Sequence, residues 1–375
     1  MPGVSTQAQT APLSSSAGLT AGRPFVTLLE KERFFLMGIA TALIAIGIFQ
    51  PYAGIARWIG FALAGYSAVA NDSVQTLGTF IASNRKKPWW ALWLFIGAIF
   101  LATVAYSWVT YSGDVTYQRL ASKGFAETPT SFTYLQLAAP VVLLILTRFG
   151  IPVSTTFLLL TCFATEASSV GKVLTKSLMG YGVAFGAAIV VWLAVAKIVD
   201  NWQNGSEAKP WWRVFQWCTT GLLWSVWLMQ DASNIAVYLP RSLGWMEFAA
   251  FGLTIFVGLG LLFKLGGEKV QQVVEEKSRV VDVRAATIVD LVYAVILYLF
   301  KIQSGIPMST TWVFVGLLAG REIAMTFRGA SDHGMKTAFR LAGKDLLYVT
   351  IGLVVSLGLA FAANDAFREG ILGGS

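Results

Sequence analysis

Apolar runs of about 20 residues, the length a helix needs to cross a hydrocarbon core, recur in this sequence from Phe34 almost to its C-terminus. They predict spans near residues 34–50, 61–83, 88–111, 132–149, 155–166, 178–197, 212–239, 246–264, 288–304, 310–327 and 345–364. A β-barrel is excluded, because its strands would alternate apolar and polar residues at period two. The expected fold class is an all-α integral membrane protein. Residues 1–30 are rich in Ser, Thr, Ala, Gly and Pro and read as a disordered tail. They lack the basic start and short apolar core of a signal peptide. Residues 31–375 then form one transmembrane domain, since no long polar linker divides them. The most polar internal stretch, 267–284, spaces Val270, Val273, Val274, Val280 and Val281 as a surface-lying amphipathic helix would.

Composition sharpens this picture. Only 13% of residues are charged and 55% are hydrophobic, whereas soluble domains carry roughly 25% charged residues. The net charge of +8 is better read as basic cytoplasmic loops than as a nucleic-acid surface. Cys162 and Cys218 sit in apolar segments without partner spacing and read as small hydrophobes. The single histidine, His333, lies in a polar loop, so a histidine-based metal or catalytic centre is not expected.

An internal repeat gives the chain its organisation. GIPVSTT at 150–156 recurs as GIPMSTT at 305–311, six of seven residues identical and 155 positions apart. ANDSVQTLGT at 70–79 has a weaker echo in MQDASNIAVY at 229–238, 159 positions apart. The domain therefore reads as a tandem duplication, repeat 1 at about 58–200 and repeat 2 at about 210–365, preceded by one extra N-terminal helix. If each Pro-Val/Met-Ser-Thr-Thr segment is the tip of a re-entrant helical hairpin, repeat 1 has an odd number of crossings and repeat 2 is inverted. With the N-terminus cytoplasmic, that topology puts Lys31, Arg33, Arg85, Lys86, Lys87, Lys209, Arg213, Lys269, Arg279 and Arg284 inside, and Arg57, Arg119, Lys172, Lys176 and Arg241 outside. The bias follows the positive-inside rule.

Ionisable groups at membrane depth mark transport paths by default. Asp72, Gln75, Thr76 and Thr79 fall at i, i+3, i+4 and i+7, a polar stripe on one helix face. Asp231, Asn234 and Tyr238 repeat it, with Gln230 where the first copy has Asn71. Asp72 and Asp231, with Gln75 and Thr79, are candidates for cation or proton coupling. After Pro152 and Pro307 the chain begins new helical turns, whose free N–H groups carry a partial positive charge. The hydroxyls of Ser154, Thr155, Thr156, Ser309, Thr310 and Thr311 add donors, and Asn71, Asn234 and Gln230 lie nearby in the pattern. Together these make an anion cradle. The bland alternatives are interhelical hydrogen-bond glue for the stripes and helix capping for the hairpins.

These residues carry a resemblance. The chain is similar to the inorganic phosphate transporter (PiT) family of cation-coupled symporters, whose two inverted halves each contain Gly-Ala-Asn-Asp-Val-Ala-Asn and Pro-Val-Ser-Thr-Thr-His motifs. Ala70-Asn71-Asp72 with Gly78-Thr79 resembles the first motif, and Asp231 with Asn234 its second copy; Pro152–Thr156 and Pro307–Thr311 resemble the hairpin motif. Gly267-Glu268-Lys269-Val270 is similar to the family's Gly-x-x-Val stretch. Phe157 and Trp312 stand where the family has histidine, and residues 88–111 lack the acid that members often carry there. The resemblance, over about 60–365, implies a plasma-membrane symporter for phosphate driven by Na⁺ or H⁺. It implies no resident cofactor and no metal beyond Na⁺. The expected partners are the oxyanion and the lipid bilayer, with a homodimer as an open alternative. A permease for sulfate or another oxyanion is the competing transporter reading. A membrane enzyme would need a clustered nucleophile, base or metal set, which the sequence does not offer, and a scaffold would not need duplicated carboxylates.

Overall fold

The computed structural model describes residues 23–121, 124–205, 207–266, 282–303, 307–331 and 334–373. Most of the N-terminal tail, the amphipathic stretch over 267–281 and His333 lie outside them. The chain divides into a unit ending at Ile44 and a second from Ala45 to the C-terminus. The first contains most of helix α1, Arg23–Phe49.

In the second unit, α2 (Ala53–Thr76) breaks at Leu77 and resumes as α3 (Gly78–Ser83), followed by α4 (Trp89–Thr110). A 3₁₀ turn at Arg119–Ala121 precedes α5 (Tyr134–Arg148) and the single turn α6 (Thr155–Leu158), and then comes the long α7 (Ala167–Gly205). The second half runs α8 (Pro210–Ala236), α9 (Trp245–Leu261), α10 (Val283–Gln303), α11 (Thr310–Phe327), α12 (Met335–Ala363) and α13 (Asp365–Leu372). Local chemistry sets several of these starts. Thr133 and Gln136 form a reciprocal capping box for α5. Ser154 and Ser309 accept N–H bonds from Phe157 and Trp312 and so open α6 and α11. Pro210 sits in the first turn of α8, where its missing N–H costs nothing.

The two copies of the Ser-Thr-Thr segment diverge after their tips. α11 continues for 18 residues, but α6 stops after one turn and gives way to a 3₁₀ turn at Leu160–Phe163. Thr161 and Cys162 donate back to the carbonyls of Phe157 and Leu158, a competition that bends and ends helices. Gly316 and Leu317, 155 positions on, have no such groups. The expected span at 155–166 is therefore a broken segment.

Helix pairings repeat. α2 packs along α5 as α8 packs along α10, and α4 rests on α8 as α9 rests on α2. α7 lies against α11 as α12 lies against α6. The α7–α11 contact is close because Gly316 and Gly320 lack side chains: a Cβ there would stand 2.4 Å from the Tyr181 carbonyl oxygen and 2.3 Å from that of Phe185.

Among the described residues, seven helices are long and apolar enough to cross a membrane, and Tyr134–Arg148 is a shorter apolar one. α8 is about 40 Å long at 1.5 Å per residue but falls outside this set, because Gln216, Thr219, Thr220, Gln230, Asp231 and Asn234 interrupt it. Its polar groups are buried, while apolar residues such as Val190, Leu253 and Val354 are more than half exposed. That distribution suits lipid surroundings, where an apolar exterior costs nothing.

Candidate functional site

The break at each Ser-Thr-Thr tip drives the Thr side chains into the middle of the helical body, and α2 and α8 bring a carboxylate to each. Every residue singled out in the sequence (Asn71, Asp72, Gln75, Thr79, Ser154, Thr155, Thr156, Gln230, Asp231, Asn234, Ser309, Thr310 and Thr311) is buried. Most converge on one cluster.

At the first tip, Asn71 Nδ2 donates to Val153 O at 2.7 Å and to Asp72 Oδ1 at 2.8 Å, while its own Oδ1 accepts from Thr147 at 3.1 Å. Thr155 is hydrogen-bonded to Asp72, and Thr310 to Asp231, each the aspartate of its own repeat, while Thr156 Oγ1 reaches across to Asp231 Oδ1 at 3.5 Å. Asn234 Nδ2 lies 2.5 Å from Asp231 Oδ1 and 3.0 and 3.1 Å from the hydroxyls of Thr155 and Thr156. The tips also bond to each other, Thr156 Oγ1 to Met308 O at 3.1 Å and Thr311 Oγ1 to Val153 O at 3.3 Å. Asp72 and Asp231 are close enough to repel electrostatically.

Some predicted members go elsewhere. Thr79 lies beyond the break at Leu77 and donates to Asp290 Oδ1 at 2.7 Å. Gln230 Nε2 binds Leu297 O at 2.9 Å, tying α8 to α10. Ser154 and Ser309 serve as helix caps. Tyr238 lies past the end of α8, its hydroxyl on Gln136 O.

Asp72 Oδ2, Asp231 Oδ2, Asn234 Oδ1, Gln75 Oε1 and Gln230 Oε1 are buried acceptors that receive no hydrogen bond among the described residues. Buried acceptors without donors are costly, and a cation, a proton or a water can satisfy them. No group of three or more His, Cys, Asp or Glu side chains with metal-binding proximity occurs among the described residues, so such a cation would take hydroxyl, amide and paired-carboxylate oxygens.

The sequence reading missed four residues here. Tyr293 of α10 donates to Thr310 O at 3.0 Å and acts electrostatically on both aspartates. Ser177 of α7 accepts the Ser309 N–H at 2.8 Å. Arg119, on the 3₁₀ turn, donates through Nε to Met229 O at 3.4 Å and attracts Asp231. Burial pulls its guanidinium down to about 10, with Asp231 acting against that shift, so it stays charged at neutral pH and supplies the cation that both motifs lack. Asp290 accepts from Thr79 and, at 2.5 Å, from Thr220. Thr220 continues through Gln216 (3.3 Å) and Asn84 (2.8 Å) to Arg213 (2.9 Å), a polar chain toward the start of α8. An acid within the apolar run at 288–304 was a visible signal for Asp290. It lacked a repeat partner, because Leu135 stands at the equivalent position.

No family model matches the chain, and no curated protein matches it. Among solved structures, one titled the sodium-dependent phosphate transporter is similar in fold, with a TM-score of 0.54 and 17% sequence identity over 88% of this chain and 99% of that one. The likeness spans nearly the whole of both chains, and it shows that the two share a fold.

Proposed function

We propose that this protein is a secondary active symporter that moves inorganic phosphate across a membrane, driven by a Na⁺ or H⁺ gradient, and that it is a divergent member of the inorganic phosphate transporter family. The observation that carries this reading is the paired site: two Ser-Thr-Thr tips, 155 positions apart in sequence, bonded to each other and each joined to a buried aspartate. Threonine hydroxyls can donate to an oxyanion, and the unpartnered carboxylate and amide oxygens call for a positive charge beside it. A carboxylate facing the anion favours a species that carries protons, which phosphate does at neutral pH and sulfate does not. The fold shared with the sodium-dependent phosphate transporter supports the same reading.

The cycle follows from the geometry. Asp72 and Asp231 repel one another, so a cation or proton stabilises them together. Neutralised, they tolerate an anion on the threonine hydroxyls. Inverted repeats then give alternating access by moving one half against the other around the fixed centre. The test is uptake of labelled phosphate and sulfate into proteoliposomes, with sodium and pH gradients imposed separately. Phosphate accumulation under one gradient is expected. Equal or better sulfate uptake would replace the substrate, and no uptake of either anion would remove the reading.

A further inference from the structure

Away from the paired site, a cleft of about 590 Å³ opens between the start of α7 and the end of α10, lined by Ser168, Lys172, Thr175, Lys176, Phe300 and Gln303 among the described residues. Lys172 and Lys176 are one helical turn apart on the same face of α7. Lys301, beside Phe300, holds its ammonium 5.3 Å from the centre of the ring of Tyr117, two residues before Arg119 in the chain. Arg119 repels both Lys176 and Lys301. The acid Glu166 accepts from Ser168 of the lining at 3.1 Å. The charged residues that line the cleft, Lys172 and Lys176, are both basic, and a cleft lined by one sign of charge focuses its field and raises the local concentration of the opposite ion.

Residues at this cleft are linked to both halves of the central site. Lys176 adjoins Ser177, which accepts the N–H of Ser309 at the second tip. Arg119 is fixed to Met229, two residues before Asp231, and attracts that aspartate. The opposite end of α7 meets α10 through the bond from Arg284 Nη2 to Trp202 O, so the cleft lies at the other end of this helix pair. We propose that the α7–α10 cleft is an anion vestibule: a weak site for a phosphate-class oxyanion, where Lys172, Lys176 and Lys301 collect the anion and Arg119 passes it to the tips. The inference rests on the transport reading above, and it adds a second station for the cargo that the paired motifs do not contain. A lipid headgroup phosphate has the same chemistry, so the test separates the two sources.

Full-length protein is reconstituted in vesicles of phosphatidylcholine alone and in vesicles containing anionic phosphatidylglycerol, and initial phosphate uptake is measured against concentration at low and high salt. Wild-type uptake tests the transport reading, and the comparison with variants tests the vestibule. Lys172 is exposed, so Lys172→Glu has no packing to disrupt, and Lys172→Arg keeps the charge. In phosphatidylcholine at low salt, Lys172→Glu is expected to raise the apparent KM roughly three- to tenfold with an unchanged maximal rate. The effect should fade at high salt, where surface charges are screened, and Lys172→Arg should match wild type. An unchanged KM for Lys172→Glu at low salt overturns the vestibule while leaving transport intact. An effect seen only in phosphatidylglycerol vesicles assigns the cleft to lipid and overturns it equally.

Discussion

The hydroxyl of Thr156 donates to the carbonyl of Met308, and the hydroxyl of Thr311 returns the bond to the carbonyl of Val153. Thr156 and Thr311 occupy equivalent places in the two copies of the motif, as do Val153 and Met308. Each tip therefore holds the other by the same interaction. A structural cap would satisfy only its own helix, as Ser154 and Ser309 do. The threonines instead tie the halves of the molecule together at the point where the aspartates meet them.

This places Thr155 and Thr310 in a different class from Thr311, whereas Thr156 does both, reaching Met308 O and Asp231 Oδ1. Replacing Thr155 or Thr310 with Val removes a hydroxyl bonded to an aspartate at nearly constant volume. Losing a hydrogen bond to a charged partner costs about 1.5–3 kcal/mol, so the apparent anion affinity is expected to fall roughly ten- to a hundredfold. Thr311→Val breaks a neutral bond between the tips, worth about 1 kcal/mol, and should mainly lower the thermal midpoint. Binding titrations beside melting curves separate the two kinds of variant. Wild-type affinity in both Thr155→Val and Thr310→Val would reduce the motif to helix capping.

The α7–α11 contact offers a test of packing independent of transport. Gly316 and Gly320 are four residues apart and each faces a backbone carbonyl of α7. A methyl group at either position pushes against a backbone carbonyl, and at Gly320 also against Ala188 Cβ; overpacking of this kind costs about 1–3 kcal/mol. Gly316→Ala and Gly320→Ala should both lower the melting temperature in detergent. Gly182→Ala, where a Cβ would meet nothing within 4 Å, serves as the control and should leave it unchanged or raised.

Helix existence and most of the cluster were legible in the sequence because both rest on short-range signals: apolar run length, and an exact motif repeated at a fixed offset. The stripe from Asp72 to Thr79 was legible only as far as the helix stayed regular. Its break at Leu77 sends Thr79 to Asp290. Gln230, read as the counterpart of Asn71, reaches α10 instead of a tip, since its longer side chain finds the Leu297 carbonyl. Arg119 and Ser177 were out of reach for a different reason. They join the site only through tertiary folding, from a 3₁₀ turn and from the first third of α7, and no local pattern marks them.

Asp290 carries a prediction of its own. It is buried, receives the hydroxyls of Thr79 and Thr220, and stands on a hydrogen-bonded chain that leads through Gln216 and Asn84 to Arg213. That chain leads away from the vestibule end, which fits a path for the coupling ion on the opposite side of the centre. Asp290→Asn keeps one acceptor and the shape of the side chain. Maximal uptake per folded molecule should fall at least severalfold with the apparent anion affinity within about twofold. An unchanged maximal rate would make Asp290 a structural tie between α3, α8 and α10.

The remaining prediction separates coupling from anion binding, and it concerns Asp72 and Asp231. Each presents one bonded oxygen and one oxygen without a donor among the described residues, and the two side chains repel. A second negative charge entering the cluster raises that repulsion, whereas a cation or proton shared with the aspartates removes it. Asp72→Asn keeps an acceptor for the Asn71 amide and removes the charge without changing shape, so the tip should stay in place. The variant no longer needs the coupling ion to accept the anion. It is expected to lose accumulation against a gradient while anion exchange between the two sides partly survives. Asp231→Asn should act in the same direction, with a smaller loss of coupling, because Arg119 already offsets part of the charge at Asp231. Counterflow and gradient-driven uptake measured on the same vesicles distinguish the two activities. Concentrative uptake by Asp72→Asn at the wild-type rate would take this residue out of the coupling mechanism and leave Asp231 to carry it alone.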